Sequence, residues 1–148
     1  VIKEYWRRPD ATAAEFVDGW FRSGDLGYFD ADGYIFISDR LKDMIISGGE
    51  NIYSAEVEGR IMEISDIAAV ALIGIPDQKW GELPMAIVAL KPGASLEPEA
   101  ITQHLTGRLA KYKIPKRIVF VDELPRTASG KVRKADLRSQ FAAEAVSG

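Results

Sequence analysis

No cysteine occurs among the 148 residues, which excludes disulfides, thiol catalysis and thiolate metal sites and fits a reducing compartment such as the cytoplasm. Neither sign of charge dominates. With 22 acidic residues against 19 Lys and Arg, the net charge of -3 argues against non-specific binding to nucleic acid or anionic lipid. No stretch approaches the apolar length needed to span a bilayer, and the opening VIKEYWRRPD lacks the basic start and apolar run of a signal peptide. There is no initial methionine, so the expectation is a segment of a longer polypeptide. Internal repeats and low-complexity tracts are also missing. What is present is 47% hydrophobic residues, enough for one compact core and a smaller appended piece.

The first 40 residues differ in style from the rest. A short helical piece at 13–17 precedes GWFRSGDLGYFDADGYIFISDR (19–40), where aromatics crowd together and the turn signal DADG (30–33) joins two strands. An isolated hairpin is marginal in water, so these strands need a further partner. From Leu41 the pattern is mixed α and β. A glycine-centred hairpin, MIISGGENIY (44–53), leads into a helix over 55–64, with Ser54 as N-cap and Glu56 and Glu58 in its first turns. The apolar runs AAVALIGI (68–75) and PMAIVAL (84–90) suit buried strands. A helix over 98–111 places Ile101, Leu105 and Leu109 on one face, RIVFV (117–121) completes a three-stranded sheet, and a last helix covers 135–145. The fold class is α+β.

Several short motifs admit a chemical reading beside an ordinary one. TASGK (127–131) combines hydroxyl residues, Gly130 and the mobile cation Lys131, as a grip for phosphate or carboxylate oxygens would. It lacks the first glycine of a P-loop, and the same residues also make a plain solvated basic loop. Asp25, between glycines in RSGDLG (22–27), can accept two hydrogen bonds from a diol such as ribose, or be a turn aspartate. Arg40 can reach the same diol or a phosphate, or form a surface ion pair of little value. Lys42 stands where the two styles of sequence meet, as a hinge would. The Gly48-Gly49 turn permits close backbone approach to a ligand. Trp80, in the polar loop PDQKWGE (76–82), can stack on a nucleobase, and Tyr112 and Lys116 in KYKIPK (111–116) can hold an aromatic or anionic group, although a helix-ending tyrosine packed on the core is the commoner outcome. His104, the single histidine, falls on the polar side of its helix and is assigned no role.

Taken in order, GWFRSGDLG (19–27), DRLKDMIISGGENIYSAEVE (39–58), YKIPK (112–116) and PRTASGKVRK (125–134) resemble the C-terminal third of the acyl-adenylate-forming superfamily, which includes acyl-CoA synthetases, luciferase and peptide-synthetase adenylation domains. SGGENIY with PDQKWGE looks most like the fatty or aromatic acyl-CoA synthetases. The resemblance implies a ligase that couples a carboxylic acid to ATP, giving acyl-AMP and pyrophosphate, and then to CoA. It implies that residues 1–41 end a large adenylating domain and that 42–148 form a mobile lid domain.

The same resemblance makes Asp25 the ribose ligand, Arg40 a nucleotide contact and Lys131 the lysine bridging carboxylate and phosphate. Lys42 becomes the hinge, and Gly49, Trp80, Tyr112 and Lys116 lie near CoA. It places the Mg²⁺ ligand in the missing N-terminal domain, so no metal ligand is expected here and the segment alone is expected to be inactive. Ser54 departs from the usual proline, a change expected to affect loop stiffness only, and Ile114 replaces a basic residue seen in some relatives. Loading of a carrier protein, or a standalone non-catalytic binding module, is the alternative.

Overall fold

The computed structural model describes residues 2–145. The chain divides into two compact units that meet in sequence between Lys42 and Asp43.

The first unit holds one short helix, α1 (Pro9–Glu15), and two hairpins. Pro9 opens α1, since its fixed φ suits a first turn, and the chain is already extended at Phe16; the helix therefore lies upstream of the 13–17 expected. Strands β1 (Phe16–Val17) and β2 (Trp20–Phe21) are joined by Asp18-Gly19, both at positive φ, the requirement of a two-residue hairpin turn. Strands β3 (Asp25–Phe29) and β4 (Ile35–Arg40) pair antiparallel around the turn at Asp30, whose carboxylate accepts the amides of Asp32 and Tyr34. Between Leu26 and Gly27 the register skips Ser38, a bulge that bends β4; a Cβ on Gly27 would stand 2.6 Å from the Phe36 carbonyl oxygen, so only glycine fits. No described residue of this unit is buried.

The second unit is built on a five-stranded sheet: β5 (Ile45–Ser47), β6 (Glu50–Ile52), β7 (Ile67–Asp77), β8 (Gly81–Leu90) and β9 (Arg117–Val121). The glycine hairpin β5–β6 thus joins the three other strands in one sheet, through the pair Ser47↔Gly81. Strand β7 lies along one edge of β8 for its full length; β5 and the parallel β9 share the other edge, β9 taking over at Met85. Strands β7 and β8 read as unbroken apolar runs because both faces of the sheet are covered. On one face Val70, Leu72, Ala86 and Val88 meet α2 (Ser54–Ile61) and α3 (Pro98–Leu105) through Val57, Ile61, Ile101 and Leu105. On the other, Ala71, Ile73, Ile75, Met85 and Ile87 meet α4 (Lys134–Ala145) through Leu137 and Phe141. Each fully buried Val, Leu, Ile or Met side chain among these contributes about 1.5–3 kcal/mol.

Two further expectations change. Helix α3 stops at Leu105 because Thr106 turns extended and Gly107 takes positive φ; residues up to Lys111 form a turn before a short 3-10 piece, Lys111–Lys113. Ser54 is not the N-cap of α2. Tyr53 occupies that position without a side-chain cap, and Ser54 is the first helical residue, wholly buried, with its hydroxyl accepting from Lys134 Nζ at 2.6 Å.

Candidate functional site

In the first unit, the register pairs Asp25 with Arg40 at the end of the β3–β4 ladder, with Arg40 Nε 3.6 Å from Asp25 Oδ1. Asp25 donates its amide to Ser23 Oγ, and the Leu41 amide reaches the Gly24 carbonyl oxygen at 2.7 Å, which fixes both ends of the pair. The two side chains keep 32% and 54% of their surface, so the pair is worth little as a salt bridge. Its value is as a carboxylate with free lone pairs beside a planar donor fork, the combination that suits a diol or a phosphate. A hollow of about 460 Å³ in the same unit takes Ser23, Gly24, Arg40 and Lys42 into its lining.

In the second unit, Lys131 stands on a small rigid hairpin. Thr127 and Lys131 close it through Thr127 N–H to the Lys131 carbonyl at 2.8 Å, and the Gly130 amide returns to the Thr127 carbonyl at 2.9 Å. Gly130 is at φ 85, as a three-residue loop ending in a left-handed residue demands. The Thr127 hydroxyl accepts the Lys131 amide, and Arg126 Nη1 holds the Gly130 carbonyl oxygen at 2.8 Å. The stem continues through Arg126↔Val132 and the Arg133 amide on Pro125 into α4. At its root Lys134 bonds Ser54 and lies 2.7 Å from Glu58, whose carboxylate also caps the Leu72 amide on the outer edge of β7. The backbone groups of Thr127, Gly130 and Lys131 are therefore committed, while the exposed Lys131 ammonium forms no ion pair among the described residues. The sequence did mark the loop. It did not mark the Lys134, Ser54 and Glu58 anchor, whose members lie up to 80 residues apart.

The structure brings the glycine hairpin and Trp80 together. Gly48 donates its amide to the Trp80 carbonyl at 2.8 Å, and a Cβ on Gly48 would come within 2.6 Å of the indole ring. Gly48 and Gly49 both adopt positive φ, so the turn needs glycine for its backbone and the first glycine also for its neighbour. Asp77 Oδ1 accepts the amides of Lys79 and Trp80, and Lys79 Nζ lies 4.8 Å above the indole. Trp80 as a whole remains 47% exposed.

Lys116 donates its amide to Pro84 just before β9 begins, further along the same edge of β8. Tyr112 lies in the 3-10 piece that Lys113 ties to Glu56 at 2.6 Å, and its ring is exposed. Ile114 is buried in the core cluster with α2 and α3 and offers no contact to a ligand. His104 contacts the Arg60 carbonyl and Glu63, a link between α3 and α2. No hydrogen bond or ion pair among the described residues joins residues 127–131 to 47–50 or 77–82. The Lys131 hairpin and the glycine hairpin are separate features of one unit.

The sequence pattern described as AMP-binding enzyme C-terminal domain matches residues 56–131, just over half of the chain and ending on Lys131. The chain belongs to this family. It is 49% identical over 143 residues to the long-chain-fatty-acid–CoA ligase FadD13 of Mycobacterium tuberculosis, a match covering 97% of this chain and 28% of that ligase. It is 51% identical over 142 residues to the indoleacetate–CoA ligase of Aromatoleum aromaticum, covering 96% and 28%. The crystal structure of ATP-bound MatB from Rhodopseudomonas palustris superposes with a TM-score of 0.86 at 42% identity, over 95% of this chain and 28% of that one. The chain thus spans little more than a quarter of the length of these relatives. As in other members of the family, the fold is α+β, and no helix among the described residues is long and apolar enough to cross a membrane.

Proposed function

We propose that the chain is the C-terminal part of a cytoplasmic, ATP-dependent, AMP-forming acid–CoA ligase acting on a carboxylic acid of fatty or aromatic type. In the first half-reaction a carboxylate oxygen attacks the α-phosphorus of ATP and pyrophosphate leaves. In the second, the CoA sulfur attacks the acyl carbon and AMP leaves. The observation that carries the reading is the Lys131 hairpin: a loop closed by the bonds of Thr127, Gly130 and Lys131 that presents a cation with no ion-pair partner among the described residues. Charge accumulates on the attacked phosphate, and a cation held at that place needs no reorganisation as it does so; such a donor is worth on the order of 10²–10³ in rate.

On this reading Asp25 accepts the ribose hydroxyls and Arg40 contacts the nucleotide. Lys42 is the hinge between a large adenylating domain, ending at residue 41, and a lid domain from 42 onward. The Gly49 hairpin with Trp80 faces the pantetheine arm, and Tyr112 and Lys116 lie near CoA. Magnesium accompanies ATP in the proposal, but no cluster of three or more His, Cys, Asp or Glu among the described residues could hold it. The exposed aromatics of the first unit are covered by the rest of the longer polypeptide.

The test uses the full-length protein with ATP and a panel of fatty and arylalkyl acids. Carboxylate-dependent ATP–pyrophosphate exchange is expected, with AMP and acyl-CoA released when CoA is added. Exchange with transfer only to a carrier protein would assign the carrier-loading reaction instead. Absence of carboxylate-dependent exchange across the panel would overturn the proposal.

A further inference from the structure

We propose that Glu82 is a positioning residue for thioester formation: its carboxylate, seated on Gly74 and accepting the Ile46 amide, fixes the glycine hairpin against the sheet. The inference rests on the reading above that this hairpin serves CoA.

The hairpin is joined to β8 by a single residue pair, Ser47↔Gly81, and β9 occupies the same edge only from Met85 onward. Between them lie residues 82–84, and Pro84 has no amide hydrogen to offer a neighbouring strand. Glu82 fills that gap with its side chain. Its Oε2 accepts the Ile46 amide at 2.8 Å, across 36 residues of sequence. A hydrogen bond to an ionised acceptor is roughly twice as strong as a neutral one.

The carboxylate can take this position only because of the residue beneath it. Glu82 stands opposite Pro76, and Gly74 is its diagonal neighbour on β7. A Cβ on Gly74 would lie 2.6 Å from Glu82 Oε1 and 2.8 Å from its Cδ, inside any tolerable contact. Gly74 has ordinary strand geometry, so the glycine is required by the carboxylate and not by the backbone. Three consecutive residues of the hairpin are thereby held to the β7–β8 turn region: Ile46 by Glu82, Ser47 by Gly81 and Gly48 by the Trp80 carbonyl. The first of these three is the one made by a side chain. Without it the hairpin keeps its own β5–β6 pairing but loses part of its seat, and a shift near 1 Å in a reacting group's support can cost about 10²-fold.

The experiment uses the full-length ligase and measures two rates, carboxylate-dependent ATP–pyrophosphate exchange and thioester formation from supplied acyl-AMP and CoA. Glu82→Ala and Gly74→Ala are both expected to slow the thioester step by about 10- to 100-fold with exchange unchanged. Amide hydrogen exchange at Ile46 should accelerate in both. Glu82→Gln, whose amide oxygen still accepts the Ile46 amide, should recover most of the rate and the protection. Equal losses in both half-reactions would mark Glu82 as merely structural and overturn the proposal. So would an unchanged thioester step despite faster exchange at Ile46. Trp80→Ala separates the two levels: if it too leaves thioester formation unchanged, the CoA reading of the hairpin fails and the proposal with it. If Trp80→Ala slows that step and Glu82→Ala does not, only the positioning role fails.

Discussion

The two units solve the burial problem in opposite ways. Among the described residues every buried hydrophobic side chain belongs to the second unit, where a sheet is covered on both faces by helices. The first unit carries Trp6, Trp20, Tyr28, Phe29, Tyr34 and Phe36 exposed, and the contacts seen among them are local, as in the stacked Tyr28–Phe36 pair. Cores, not strand pairing, make a fold independent: five residue pairs join β3 to β4, yet two strands without a covering layer bury nothing. The lesson for function is a division of labour. Asp25 and Arg40 sit on the dependent unit, while Lys131 and the glycine hairpin ride on the self-sufficient one.

The largest effect that can break this comparison is folding in isolation. Residues 43–148 alone should unfold in one cooperative transition by circular dichroism, whereas 1–42 alone should show none. Loss of cooperativity in the longer piece would remove the distinction. Next, point truncations should differ in cost. Leu72→Ala, at a wholly buried position, should destabilise residues 43–148 by about 2–5 kcal/mol in urea titrations, from lost transfer energy plus the residual cavity. Tyr28→Ala should change the stability of the full 148-residue chain by no more than about 0.5–1.5 kcal/mol, the worth of an aromatic pair. Comparable costs would show a core in the first unit too.

Gly48→Ala sharpens the comparison within the second unit. Positive φ and the indole beneath it should together cost about 1–3 kcal/mol and loosen the turn more than the sheet, visible as faster amide exchange at 47–51 than at 70–75.

The smallest effect is electrostatic. The Arg60 guanidinium, 2.7 Å away, holds the Glu63 carboxyl below the usual carboxylate range, burial opposing and His104 assisting. A depressed folded-state pKa adds stability above the unfolded pKa that is lost as pH falls through the folded one. Arg60→Gln should therefore return the Glu63 titration, followed by carboxyl NMR shifts, toward ordinary values. Because the group is exposed, the change in stability between neutral and acid pH should be slight.

Much of this was legible in the residues. RIVFV reads as a strand and forms β9 over the same five positions, and the apolar runs mark β7 and β8. Their ends were not legible, because Pro76 and Pro84 look like boundaries and are in fact paired within the β7–β8 hairpin. Helix α3 ends short of its apolar spacing: Leu109 continues that spacing, but Thr106 leaves the helix and Leu109 packs on the core from the turn that follows. Ser54 read as a cap because serine before an apolar-periodic stretch usually is one; burial and the Lys134 ammonium outweigh that local preference. Ser54 thus supplies a hydrogen bond to the root of the Lys131 hairpin, which is more than the change in loop stiffness expected of it. Local turns are written locally, as in TASGK and SGG. Seats such as Glu82 on Gly74 join residues whose relation exists only once the sheet has formed.

The central claim is that Lys131 acts in one half-reaction and not in the other. Its most direct test is Lys131→Ala in the full-length enzyme, assayed for carboxylate-dependent ATP–pyrophosphate exchange and, separately, for thioester formation from supplied acyl-AMP. The account predicts a fall in exchange on the order of 10²–10³-fold with thioester formation preserved. Equal loss in both, or exchange at the wild-type rate, would contradict it.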